Sequence, residues 1–208
     1  METKDFRKLI KEHFKPKIND LGFKGSDLHF VKHTEEHYIY TLVIQASKYG
    51  GSCVMEMGVH FDFLSSQKAT VHDCEFRKRL QPELSLIDKL KGRSIEKWHE
   101  YGENEAHAVK TINEMWSLFD NQALKYFNQF QSFPNPITEI SLEEIESGSK
   151  RLYKLGTPSK LRLALLIARV HHFLGNYADA KHYAEWGIKN IGNATGLIES
   201  FRKLIQEV

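Results

Sequence analysis

The stretch Cys53-Val54-Met55-Glu56-Met57-Gly58-Val59-His60-Phe61-Asp62-Phe63 decides the fold. Cys53, Met55, Met57, Val59, Phe61 and Phe63 fall on alternate residues and point one way; Glu56, Gly58, His60 and Asp62 point the other. A period of two belongs to a β-strand, whose successive side chains project to opposite faces. One apolar and one polar face mark an antiparallel sheet packed on a core from one side. Upstream, Tyr49-Gly50-Gly51-Ser52 reads as a turn, and Tyr38 to Ala46 as a strand with Tyr38, Tyr40, Leu42 and Ile44 on one face. The polar His33–His37 segment predicts a hairpin loop leading back to a strand at Leu28–Val31. Downstream, Thr70 to Phe76 is expected to add a fourth strand.

Around these strands the rhythm is helical. Phe6, Leu9, Ile10, Phe14, Ile18 and Leu21 recur at helical spacing. Pro16 lies inside the pattern and should kink or divide it, because proline lacks the backbone donor; Gly22 should end it. From Ser94 the period changes again. A short helix is expected over Ile95–Tyr101 and a long one over Asn104–Gln131, with Val109, Ile112, Trp116, Phe119, Ala123, Phe127 and Phe130 as its apolar stripe. Phe133-Pro134-Asn135-Pro136 breaks that helix and marks the best boundary.

Beyond it, Ser141 and Glu144 have capping-box spacing, with Gly156 closing the helix. Thr157-Pro158 opens the next, with proline at the first helical position, and Gly175 closes it. Two further helices follow, one over Ala178–Ile191 and one carrying Leu197, Ile198, Phe201, Leu204 and Ile205. The expected architecture is α+β: an antiparallel sheet of three to four strands packed on helices over 1–133, a linker over 134–141, and an all-α helical unit over 142–208.

Composition bounds the function. With 208 residues, 41% hydrophobic and 27% charged, the chain can fill a sizeable core. A net charge of +2, from 29 basic and 27 acidic residues, lacks the basic excess of a dedicated nucleic-acid binder. The basic clusters from Arg77 to Lys97 and from Lys150 to Arg169 read as solvated faces. Two cysteines, Cys53 and Cys74, are too few for a disulfide framework and suit small buried hydrophobes. Met1 to His13 has no signal-peptide core, and the most apolar run, Leu163 to Ala168, is far too short to span a bilayer. A cytoplasmic location is expected, with no membrane partner.

Two resemblances follow from particular residues. Ala168, the turn Leu174-Gly175-Asn176-Tyr177, Ala180 and Gly187 give the 161–191 pair of helices the look of a tetratricopeptide-type hairpin. Small residues there would let the helices approach, and the tyrosine would fill the bend; an ordinary hairpin needing small residues at its crossing reads equally well. The first portion carries, in order, Leu21-Gly22-Phe23-Lys24, a strand containing Phe30, Ile44-Gln45-Ala46-Ser47-Lys48-Tyr49, Met57-Gly58-Val59-His60-Phe61 and Cys74-Glu75-Phe76-Arg77-Lys78-Arg79-Leu80. Up to about residue 131 it resembles the bacterial DUF4304 family of unknown function. That resemblance implies an α+β fold and a bacterial cytoplasm, and brings no catalytic set with it.

Several groups could carry chemistry. Residues two apart on a strand share a side, so His60 and Asp62 could pair as imidazole and carboxylate, with Glu56 beside them and His72, Asp73 and Glu75 on the next strand. Such groups could build an acid–base or divalent-metal site; the alternative is a sheet face that is simply wet. His99, Glu103 and His107 are spaced by four, yet Gly102 and Asn104 make this stretch a helix start. His33 and His37 flank the first hairpin loop as exposed neighbours, and His171-His172 suits a helix C-terminus, where a cation is favourable. Cys74 near Arg77 and Arg79 could have a lowered thiol pKa, and those arginines would equally suit an acidic partner or a phosphate.

Gly-x-Ser-x-Gly and the P-loop are both absent, so no nucleophile elbow, nucleotide or other cofactor is expected. Candidate binding residues are Gln45, Glu56, His60, Asp62, Arg77 and Arg79. The leading expectation is a non-catalytic module that binds a protein partner through its helical unit. The alternatives are an enzyme built on His60 and Asp62, a nucleic-acid binder using Arg77, Lys78, Arg79 and Arg93, and a toxin-immunity protein.

Overall fold

A computed structural model describes residues 1–26, 28–64, 70–81, 87, 90, 98–102 and 104–207. The chain divides into two compact units, Met1–Asn128 and Gln129–Val208.

The first unit opens with α1 (Thr3–Leu9), a π-helical turn (Ile10–Phe14) and α2 (Lys15–Asp20). Proline explains this division. Pro16 cannot donate to the carbonyl four residues back and its ring crowds that carbonyl. The wider turn accommodates it, with the Lys15 N–H bonding to the Ile10 carbonyl five residues back. Gly22, at φ +86, then ends α2: Phe23 N–H reaches the Ile18 carbonyl at 3.3 Å and Gly22 N–H the Asn19 carbonyl at 2.8 Å. That double closure satisfies carbonyls a bare helix end would leave open.

Among the described residues the sheet has six antiparallel strands: β1 (Lys24–Ser26), β2 (His29–His33), β3 (Tyr38–Ala46), β4 (Ser52–Phe61), β5 (Phe76–Leu80) and β6 (His99–Glu100). β1 to β5 lie side by side in sequence order, and β6 also pairs with β4. The expectation of three or four strands falls short because β1 and β6 are too brief for alternation to register. The expected strand over Thr70–Phe76 is displaced: residues 71–73 form a turn and the strand begins at Phe76. β4 likewise ends at Phe61, leaving Asp62 and Phe63 in a turn. Of the short helix expected over Ile95–Tyr101, residues 95–97 lie outside the described residues, while His99–Glu100 is strand. Both β5 and β6 occupy one edge of β4, since Leu80 opposes Met55 and His99 opposes Cys53.

The β3–β4 ladder runs from Tyr38↔Phe61 to Ala46↔Cys53. Opposed residues share a face, so Tyr38, Tyr40, Leu42 and Ile44 join Cys53, Met55, Met57, Val59 and Phe61 on the apolar side, all buried. Helices cover it. Phe6, Ile10, Phe14 and Ile18 come from the first helical segment. Ile112, Met115, Phe119, Ala123 and Phe127 come from α3 (Glu105–Leu118), a π-helical turn (Phe119–Ala123) and α4 (Leu124–Phe127). Aromatic contacts tie the layers: Tyr40 stacks on Phe127 at 4.5 Å and Phe14 meets Phe30 at 5.9 Å. Pairs of this kind contribute about 0.5–1.5 kcal/mol beyond their burial. Asn104 starts α3 by accepting the His107 N–H at 2.9 Å.

In the second unit, Ser141 caps α5 (Leu142–Ser147) by accepting the Glu144 N–H. That helix stops at Gly148, φ +69, rather than running on to Gly156. Ser149 then caps α6 (Lys150–Leu155), which Gly156 closes. Serine at 149 offers a new N-cap immediately after a glycine stop, and this local signal outweighs the continuous apolar spacing. Pro158 precedes the N-cap Ser159 of α7 (Lys160–Phe173) instead of occupying its first turn. α8 (Tyr177–Lys189) and α9 (Ile198–Gln206) complete the unit. Ala168 and Ala180 are fully buried. Gly187, however, makes room for α9: a Cβ there would lie 2.3 Å from the Phe201 ring. Tyr177 is exposed and does not fill the bend.

Candidate functional site

The second face of the sheet gathers most of the candidate residues, through pairing alone. Thr41 opposes Gly58, which opposes Arg77; Val43 opposes Glu56, which opposes Arg79; Ile39 opposes His60; Gln45 opposes Val54; and His29 opposes Val43. All therefore project to one side.

The middle of this face is not wet. Glu56 is 8% and His60 5% exposed, and Thr41 is fully buried. The segment 70–74 crosses it as a strap, with Val71 and Cys74 buried. Gly58 makes that crossing possible, because a Cβ there would sit 2.6 Å from both Cβ and Sγ of Cys74. The Cys74 sulfur is 3.1 Å from Thr41 Oγ1 and donates to the Thr70 carbonyl at 3.3 Å. Asp73 shapes the strap by accepting from Thr70 N–H at 2.9 Å and Thr70 Oγ1 at 2.7 Å. Those bonds hold the Asp73 carboxyl below its ordinary range, with a smaller contribution from His60 and His72.

Arg77 reaches across to Glu56, its Nε at 3.0 Å and Nη2 at 2.8 Å from the same carboxylate oxygen. Nη2 also faces His72 Nδ1 at 3.5 Å. The guanidinium and Glu56 thus neutralise one another. Arg79 sits beside this pair in register and is half-buried, whereas Gln45, near the end of β3, is exposed.

The expected His60–Asp62 pair does not form. His60 Nε2 donates to the Leu64 carbonyl at 2.8 Å, and its Nδ1 is buried without a hydrogen-bond partner. Asp62 lies past the strand end, where strict alternation no longer governs direction, and both its oxygens lie 3.1 Å from His37 Nδ1. His37 occupies the left-handed region at φ +61, which brings the loop's last residue over Asp62. His29 Nε2 is buried and unpartnered. Burial, then the neighbouring His72, pushes its pKa down, against an upward pull from Asp73.

Other expectations are corrected as well. Burial pushes the Cys74 thiol up to about 12, overriding Arg77 and the Thr41 hydrogen bond, the reverse of the lowered value expected; Cys53 is likewise raised to about 12. His99 is buried in β6 and His107 lies in the first turn of α3, so the two do not share a helix face; Glu103 and Arg93 lie outside the described residues. Among the described residues no three His, Cys, Asp or Glu groups could hold a metal ion. His171 is not a solvated helix-end cation: it is buried, stacks on Tyr183 at 5.6 Å, and its pKa is lowered by burial. No described helix is long and apolar enough to cross a membrane. The burial of His29 had no signal in the sequence; the His37–Asp62 link is the next rung beyond Tyr38↔Phe61, with Asp62 N–H on the His37 carbonyl at 3.1 Å, and needed only the β3–β4 register.

A second cluster lies on the helical unit. At the α7–α8 turn, Phe173 is 44%, Leu174 37% and Tyr177 49% exposed. Gly175, φ +75, fixes the turn, with Asn176 N–H on the His171 carbonyl at 2.9 Å and Gly175 N–H on that of His172 at 3.0 Å. Phe133 packs edge-on to Phe173 at 5.9 Å, and His172 packs against Tyr177 at 5.5 Å. Three large apolar side chains are thus partly exposed within five residues of one hydrogen-bonded turn.

No curated protein and no solved structure matches the chain. The family model described as a domain of unknown function (DUF4304) matches residues 14–129, a span holding every described strand and the strap, and the chain therefore belongs to the DUF4304 family.

Proposed function

We propose that the chain is a non-catalytic protein-interaction module of the bacterial cytoplasm, engaging a protein partner through the α7–α8 turn of its helical unit. The observation that carries this reading is the trio Phe173, Leu174 and Tyr177, each more than a third exposed on one turn. Clustered exposed apolar side chains cost solvation and mark surfaces that a partner covers. The buried Ala168 and Ala180 fit the tetratricopeptide-type likeness of the hairpin. Gly187, which serves Phe201, and the exposed Tyr177 fit it less well.

The enzymatic alternative rested on His60 beside Asp62, and these two side chains have separate partners. The nucleic-acid alternative rested on a basic cluster of which Arg77 is neutralised by Glu56.

The test compares the full chain with a Phe173→Ser, Leu174→Ser, Tyr177→Ser triple variant. Proteins retained by each from a bacterial lysate are identified, and the strongest is purified and titrated against both. The reading expects a binary complex weakened at least tenfold in the variant, with unchanged circular dichroism. Equal affinity for both chains would overturn it, as would the lack of any partner that survives purification.

A further inference from the structure

We draw no further inference here: the strongest candidate, the cluster of His29, His60, His72 and Asp73 around the 70–74 strap on the second face of the sheet, belongs to the site already described, and among the described residues no three His, Cys, Asp or Glu groups could hold a metal ion.

Discussion

Replacing Gly58 by alanine is the most direct probe of the polar face. The added Cβ would lie 2.6 Å from Cys74 Cβ and Sγ and 3.0 Å from Thr41 Oγ1. Comfortable carbon contacts need about 3.5–4.0 Å, so the strap must move by roughly 1 Å or β4 must bend. Overpacking of this kind costs about 1–3 kcal/mol. Alanine gives back roughly 0.5–1 kcal/mol, because glycine loses more backbone entropy in a strand. The net expectation is a loss of about 1–2 kcal/mol. With a urea slope of about 1–3 kcal/mol/M, the midpoint should fall by roughly 0.3–2 M, read by circular dichroism.

Cys74→Gly removes both clashing atoms, so the double variant should recover part of the loss, with a coupling of at least about 1 kcal/mol. A midpoint equal to or above that of the unaltered protein would refute the reasoning. So would a double variant that loses the plain sum of the two single losses.

Three further outcomes follow from the same geometry. Cys53 and Cys74, both buried with thiols pushed to about 12, should resist an aromatic disulfide reagent at pH 8 for many minutes and react only in urea; rapid native labelling would contradict their burial. His29 and His171 have folded pKa values below the ordinary 6.5, so the fold prefers their neutral forms. Stability from this source is complete above about 6.5 and is lost as pH falls through the folded values. Imidazole NMR titration should give both values below that of a denatured control, and His171→Gln should flatten part of the acid loss. His37→Gly, relieving a φ of +61 but losing Asp62, should stay within roughly 1 kcal/mol of the parent, whereas the β-branched His37→Val should cost about 1–2 kcal/mol more than glycine; equal losses would remove the backbone argument.

The long strands were legible because the apolar residues of β3 and β4 alternate over nine and ten residues. The same alternation misled about the other side. Glu56 and His60 look like solvent-facing groups in a local window, yet both are buried, with Arg77 reaching over Glu56 and the Leu64 carbonyl meeting His60. Sequence spacing placed Glu56 and His60 on one face, as found; that Arg77 and Arg79 join them follows only from the β4–β5 pairing, which the displaced fourth strand hid. It failed at Asp62, one residue beyond the strand, where direction depends on the turn. It failed also for Cys74, where nearby arginines are visible in a sequence but burial is not. The break at Gly148 was missed because the apolar spacing runs through it, although Ser149 carried a readable cap signal.

The shared edge of β4 has a wider consequence. Leu80 and His99 face Met55 and Cys53, two positions apart on one strand, so their backbones stand only about 7 Å from one another at the usual rise per residue. His99 takes the register slot that residue 82 would fill if β5 simply continued. The chain thus leaves β4 at Leu80 and rejoins it at His99 along one seam. What the ladder asks of the chain between those two rungs is that its ends stand side by side, a demand on spacing and not on length.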